Sequence, residues 1–317
     1  MTLGPNKTAK RVLAVVVGIL ALAALGLVVR KIELNKVSEG LVQITFQTPE
    51  DAAKALNDAA KSGDQIAMAN ILGVKMKNLL ITGDTNADKA AMDGFAQKYQ
   101  QMNRWVEMND GSRVLYIGAD NFAFPVPLAK NPSGRWYFDE VAGAEELRAR
   151  DIGRNELLTI DACAALANAE QIYAQASGSR EYARRIISSS GTQDGLYWPA
   201  SETLGTSPLG ELNNFVKTSF GTYPPSEPLR IDGYTLGILT KQGANAPGGV
   251  RDYVAHGKMT GGFAFLAVPV KYGETGIMTF LTGSNGFVYE RDLGPDTVKI
   301  ATAIQAYDPD ENWSLVE

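Results

Sequence analysis

Apolar positions change their spacing several times along this chain, and each change marks a different kind of element. From Val12 to Val29 the sequence VLAVVVGILALAALGLVV holds no charged or strongly polar side chain. As a helix that run would be about 27 Å long, close to the hydrocarbon thickness of a bilayer. Lys7, Lys10 and Arg11 precede it, and Arg30 and Lys31 follow. The run predicts an uncleaved membrane anchor with the large C-terminal body outside. A signal peptide is the rival reading, because Ala21-Leu22-Ala23 has the small-x-small form of a cleavage site. A buried core helix is the third. Residues 1–36 are assigned to the anchor and its flanks, and the polar residues 37–47, ending in a short β-like run, to a spacer.

A helical period follows. Thr48 is a suitable N-cap, Pro49 suits the first helical position, and Glu50 and Asp51 suit the positive end of the helix dipole. Ala53, Leu56 and Ala60 fall on one stripe. Ser62-Gly63-Asp64 stops this helix and starts the next, QIAMANILG. A third helix is expected over about Asn86 to Met102, with Ala91, Phe95 and Tyr99 on one face. Period two then takes over. RWVEM and RVLYIGA flank Asn109-Asp110-Gly111-Ser112, and FAFPVPLAK and RWYFDEV flank Asn131-Pro132-Ser133-Gly134, which predicts two hairpins. These elements make a first domain over residues 48–150.

A second domain is expected over residues 151–317. AGAEELRARDIGRNEL reads as a short linking helix, and a long helix is predicted from about Asn155 to Ala176, carrying Leu158, Cys163, Leu166 and Tyr173. REYARRIISS reads as a shorter helix. A turn-rich stretch from Gly191 to Tyr223 precedes a run of strands: YTLGILTKQG, DYVAHGKMTGGFAFLAVPVKYG and IMTFLTGSNGFVYERDLG. A capped helix, DTVKIATAIQAY, closes the pattern. The glycines between Tyr272 and Thr297 lack both the Lys-Ser/Thr and the Gly-x-Gly-x-x-Gly spacing of a phosphate loop. Asn285-Gly286 between alternating apolar runs is instead a hairpin signal, so these glycines are expected to turn a β-meander.

Composition narrows the chemistry. A 45% hydrophobic content suits a globular chain with a core. Beyond Lys36 the chain carries 24 basic and 34 acidic side chains, a net of −10, which disfavours nucleic acid and anionic lipid headgroups as partners. Cys163 is the only cysteine and is expected to be a small buried side chain rather than a reactive thiol. His256 is the only histidine, so a catalytic triad would have to pass through it, and histidine-rich metal or haem sites are excluded. It reads as a polar residue at a strand end. No catalytic residue and no cofactor is assigned.

The order of the first domain, helices before a curved antiparallel sheet, resembles the cystatin-like or NTF2-like α+β fold, as does the opening TPEDAAKALNDAAKSGD. Such a cone implies a pocket, and Trp105, Tyr116, Phe122, Trp136 and Tyr137 are candidates to line it. Proton transfer there would fall to Asp139 or Glu140, whose plainer role is capping or solvation. Further along, IGRNEL, DGLYWPA, QGANAPGG, GFAFLAVPVKYGETGIMTF, VYERDLGPDT and DPDENW, in this order, closely resemble the bacterial family known as domain of unknown function 2950, from about Thr48 to the end. The resemblance implies an exported envelope protein with no established activity. More weakly, the long helix and meander of the second domain are similar to pilin-like and pseudopilin-like proteins, although the Gly-Phe processing site and the Glu five positions on are missing. The expected fold class is therefore α+β: a transmembrane helix, an NTF2/cystatin-like domain and a pilin-like domain.

Two sets of residues are candidate sites. Tyr197, Trp198, Tyr223 and Tyr234 could form an aromatic platform for a sugar or proline-rich peptide, or else cover a sheet edge or an interdomain seam. Asp308, Asp310 and Glu311 could hold a hard cation through oxygen ligands, or simply turn the chain after its last helix. The expected function is a non-catalytic binding or assembly module on the bacterial inner membrane, exposed to the periplasm. Its partners would be other envelope proteins or further copies of itself. A small-molecule-binding or hydrolytic NTF2-like enzyme and an extracellular filament subunit are the alternatives.

Overall fold

A computed structural model describes residues 43–76, 82–201, 203–210 and 229–316. The Val12–Val29 segment lies outside the described residues, and among them no helix is long and apolar enough to cross a membrane. The fold is mixed α+β, with antiparallel sheets and one long helix. It divides into two compact units between Ala149 and Arg150.

The first unit opens with α1 (Pro49–Ser62). Thr48 caps it by accepting a hydrogen bond from the Asp51 N–H, and Gly63 ends it in the left-handed region at φ 67°. Asp64 then caps α2 (Gln65–Leu72), and Asp84 caps α3 (Thr85–Gln101). Strands β1 (Asn103–Glu107) and β2 (Arg113–Ile117) form the expected hairpin. The FAFPVPLAK stretch is not one strand. It breaks at Phe124–Pro127 into β3 (Phe122–Ala123), which pairs back on β2, and β4 (Leu128–Lys130), which pairs with β5 (Trp136–Phe138). The prolines at 125 and 127 explain the break, since each lacks a ladder donor. Phe46 exchanges backbone hydrogen bonds with Trp136 at 2.7 and 2.9 Å, so the β-like run of the spacer joins the sheet. Side chains pack a core between the helices and the sheet. Phe95, Phe124 and Phe138 meet edge-on in sequence over Leu56, Leu72, Met76, Leu115, Ile117 and Leu128.

The linking helix and the long helix are one element, α4, spanning Glu140–Ala176 and 37 residues. Asp139 caps it, accepting from Val141 N and Ala142 N. The stretch contains no proline, and its glycines at 143 and 153 cost a helix only about 1 kcal/mol each, so nothing in it ends the helix at residue 155. Gly143 is required for space: a Cβ there would lie 2.9 Å from both Val126 methyl groups.

The segment REYARRIISS is not helical. Tyr182 and Ile187 make isolated bridges to Met259 and Tyr197, and the Ala183 N–H donates to the buried Glu170 carboxylate. Burial of Ala183, Ile186 and Ser188 through tertiary contacts overrides the local helical preference. The second unit's main sheet joins β6 (Leu229–Ile231), β7 (Tyr234–Leu239), β12 (Ala264–Pro269), β13 (Met278–Gly283), β14 (Val288–Asp292) and β15 (Ser314–Leu315) in the order β15-β14-β13-β12-β7-β6.

Four short strands stand apart from it: β8 (Lys241–Gln242) pairs with β9 (Arg251–Asp252), and β10 (Val254–Ala255) pairs with β11 (Lys258–Met259). Within DYVAHGKMTGGFAFLAVPVKYG, His256 and Gly257 turn the chain with φ of 52° and 78°, which puts His256 at the end of β10, the strand-end position expected of it. The Asn285-Gly286 hairpin joins β13 to β14 as expected, with Gly286 at φ 75°. The final helix, α5, covers only Thr297–Thr302, and Asp296 makes no side-chain cap. Ala162, Cys163, Leu166, Ala167 and Ala169 of α4 share one core with the central strands.

The two glycines of α4 give opposite expectations. Gly153→Ala, with open space at its Cβ, should raise stability by about 0.5–1 kcal/mol. Gly143→Ala should lower it by about 1–3 kcal/mol, both read from urea unfolding midpoints.

Candidate functional site

The first unit carries a cleft of about 490 Å3. It lies where its two hairpins part, since β2 and β4 pair only at Arg113 and Leu128. Glu107, Asp110, Ser112, Arg113, Lys130, Trp136 and Asp139 line it. Register brings the basic residues together: Arg113 stands opposite Leu128 on β4, and Lys130 stands opposite Trp136 on β5. The Arg113 guanidinium lies 5.1 Å from the Trp136 ring centre and the Lys130 ammonium 4.7 Å. Arg113 Nη2 donates to Glu107 at 3.0 Å, while its buried Nε has no partner. The Ser112 hydroxyl first, and then the Ser112 N–H that Asp110 accepts, hold the Asp110 carboxyl below the usual range. Asp139 is the cap of α4. Of the aromatic residues expected around a cone, only Trp136 lines this cleft. Trp105 and Phe122 pack on the core, and the Tyr116 ring lies 4.6 Å from the Arg104 guanidinium. Glu140 accepts from Lys75 N–H at 2.9 Å.

The aromatic set of the second unit is differently placed. Tyr234 is fully buried, and its hydroxyl donates to Met278 O at 2.8 Å, so its ring presents no face to a ligand. Trp198 is 8% exposed, and its indole N–H points at the Leu204 and Gly205 carbonyls. Tyr197 is half-buried beside Ile187. Tyr223 lies outside the described residues. Asp308 accepts from Asn245 N at 2.7 Å, and Asp310 accepts from Asn312 N at 2.9 Å and stands 3.9 Å from Arg291. Glu311 is exposed. Among the described residues no group of three or more His, Cys, Asp or Glu is arranged to hold a metal ion. His256 is exposed at its turn, and Cys163 is fully buried, its thiol pushed up to about 12 by that burial.

Sequence reasoning passed over two side-chain clasps in the second unit. Glu156 Oε1 accepts from Ile277 N at 2.8 Å and Met278 N at 3.0 Å, and Asn155 Nδ2 donates to Thr275 O at 2.9 Å. The IGRNEL block of α4 thereby holds the YGETGIM loop that leads into β13. Gly276 has no alternative there, because a Cβ would overlap the Tyr234 hydroxyl. Glu290 lies near enough to Glu156 that burial and this second carboxylate both raise its pKa. In the second clasp, Gln242 Nε2 donates to Pro247 O and Gly249 O at 2.7 and 2.8 Å, while its Oε1 accepts from the buried Tyr253 hydroxyl. Asp308 secures the same QGANAPGG loop through Asn245. The signal was present in the sequence: an amide or acid lies in each distinctive block, and a glycine-rich loop elsewhere needs its backbone satisfied.

One buried acid stands apart. Glu170 on α4 has no exposed surface; Oε2 accepts from Ala183 N, and Oε1 has no partner. Burial raises its pKa to about 8, against an ordinary 4.5. The folded chain therefore keeps a proton that the unfolded chain releases. The advantage is complete below pH about 4.5 and is lost as pH rises through about 8.

Stability should therefore fall across that window, and Glu170→Gln should flatten the profile, measured as unfolding free energy against pH. Glu156→Ala should cost about 2–4 kcal/mol by leaving two N–H groups unpaired. Glu156→Gln, which keeps an acceptor, should cost less in the same denaturation assay.

Against known families, residues 43–316 match the model described as "Protein of unknown function (DUF2950)". Neither the curated proteins nor the solved structures contain a match to the chain. Because the match takes in the first unit's described residues, both clasps and the C-terminal strand, the chain belongs to the DUF2950 family.

Proposed function

We propose that this chain is a membrane-anchored bacterial envelope protein whose periplasmic body works as a non-catalytic binding or assembly module. The observation that carries this reading is the use made of its distinctive sequence blocks. Asn155 and Glu156 hold the Thr275–Met278 loop, and Gln242 and Asp308 hold the loop from Gly243 to Gly249. Those polar residues fix backbone shape, as in a scaffold that presents surfaces, rather than converging on a reacting atom. The apolar run Val12–Val29 supports the anchor, and the acidic body favours protein partners over nucleic acid. Helices before an antiparallel sheet support an NTF2/cystatin-like first unit, and a long helix with a six-stranded antiparallel sheet supports a pilin-like second one. A second reading, a small-molecule carrier, is favoured by the cleft beside Trp136.

Full-length protein in a Gram-negative host should stay with inner membranes through alkaline carbonate washing, and removal of residues 1–36 should release it. Crosslinking before detergent extraction should then recover a stoichiometric partner, either another envelope protein or a second copy. A body found in the cytoplasm, or a protein recovered alone as a monomer, would overturn the proposal.

A further inference from the structure

The cleft of the first unit holds charges of both signs that the fold does not use up. Lys130 has the Trp136 ring beside its ammonium and no carboxylate within ion-pair reach among the described residues. Arg113 pairs with Glu107 through Nη2 alone, leaving Nε unpartnered. On the acidic side, Asp110 and Asp139 each give one oxygen to nearby backbone N–H groups and have no basic partner among the described residues. These groups come from three separate places in the unit: the β1–β2 hairpin, the β4–β5 hairpin and the start of α4. A purely anionic ligand would meet Glu107, Asp110 and Asp139, and a purely cationic one would meet Lys130 and Arg113. A ligand bearing both charges satisfies both sides.

We infer that this cleft binds a small zwitterion of the amino-acid or short-peptide class. Its carboxylate faces Lys130 and Arg113, and its ammonium faces Asp110 and Asp139. The volume of about 490 Å3 falls within the ordinary range for small-ligand pockets, about 300–1,000 Å3. Trp136 contributes an apolar floor, and its two flanking cations keep their heads over the ring until a carboxylate draws them off. Because the participating charges are partly exposed, binding weakens as salt rises. The inference rests on the binding reading of the chain and adds to it a site and a ligand class.

The test is titration calorimetry on the full-length protein in detergent at low salt, with the dipeptide alanyl-alanine and its N-acetylated and C-amidated forms. Saturable binding of the free dipeptide, weakened about tenfold or more by either cap, is the expected result, since each cap removes one charged contact. Lys130→Ala and Asp110→Asn should each weaken it by a similar factor while both variants keep a cooperative unfolding transition, which shows that the fold is intact. Equal binding of a capped form, binding indifferent to both substitutions, or no saturable heat up to about 10 mM, a dissociation constant too weak for a built site, would each overturn the inference. In that event membrane retention and partner capture would still stand as separate measures of the module itself.

Discussion

In the second unit, one carboxylate governs how sheet and helix meet. Glu156 projects from α4 and accepts two consecutive backbone N–H groups, those of Ile277 and Met278, at the entrance to β13. A charged acceptor with two donors is worth more than a neutral bond and is directional. It ties the start of β13 to the helix, and with it the sheet that pairs onto β13. The surrounding choices follow from that placement. Tyr234 must sit under the loop with its hydroxyl on Met278 O, and Gly276 must lack a side chain where that hydroxyl passes. Asn155, one residue earlier on the helix, ties the preceding carbonyl of Thr275.

Local chemistry was legible in the sequence wherever it was self-contained. The Thr48 and Asp64 caps, the Gly63 stop, the β1–β2 hairpin and the Asn285-Gly286 turn each depend on a few neighbouring residues, and all of them form. Expectations missed where distant residues decided the outcome. REYARRIISS has acceptable helix formers, yet its Ala183 N–H is claimed by Glu170 and its Tyr182 by Met259. The boundary drawn near Asn155 had no breaker to enforce it, so α4 runs straight through. Tyr234 alternates like a surface-capable aromatic but is covered on all sides by the core of its unit.

The cleft illustrates the same limit. Trp136 was expected as one of five aromatic residues around a cone. That Arg113 and Lys130 would flank it depends on two cross-strand registers and on the parting of β2 from β4, none of which a single strand's sequence contains. The clasps were hidden for a related reason: Glu156 and Gln242 find their partners 122 and 7 residues away, respectively, in loops whose glycines announce only that the chain bends.

Cys163 carries a practical consequence. Sealed within the α4–sheet core, its sulfur is kept almost wholly as the unreactive thiol. An alkylating reagent can reach it only when that core opens, so labelling speed becomes a clock for opening of the second unit, built into the native sequence. In the proposed periplasmic setting the same burial would keep the sole sulfhydryl out of reach of chance crosslinking for as long as the fold holds.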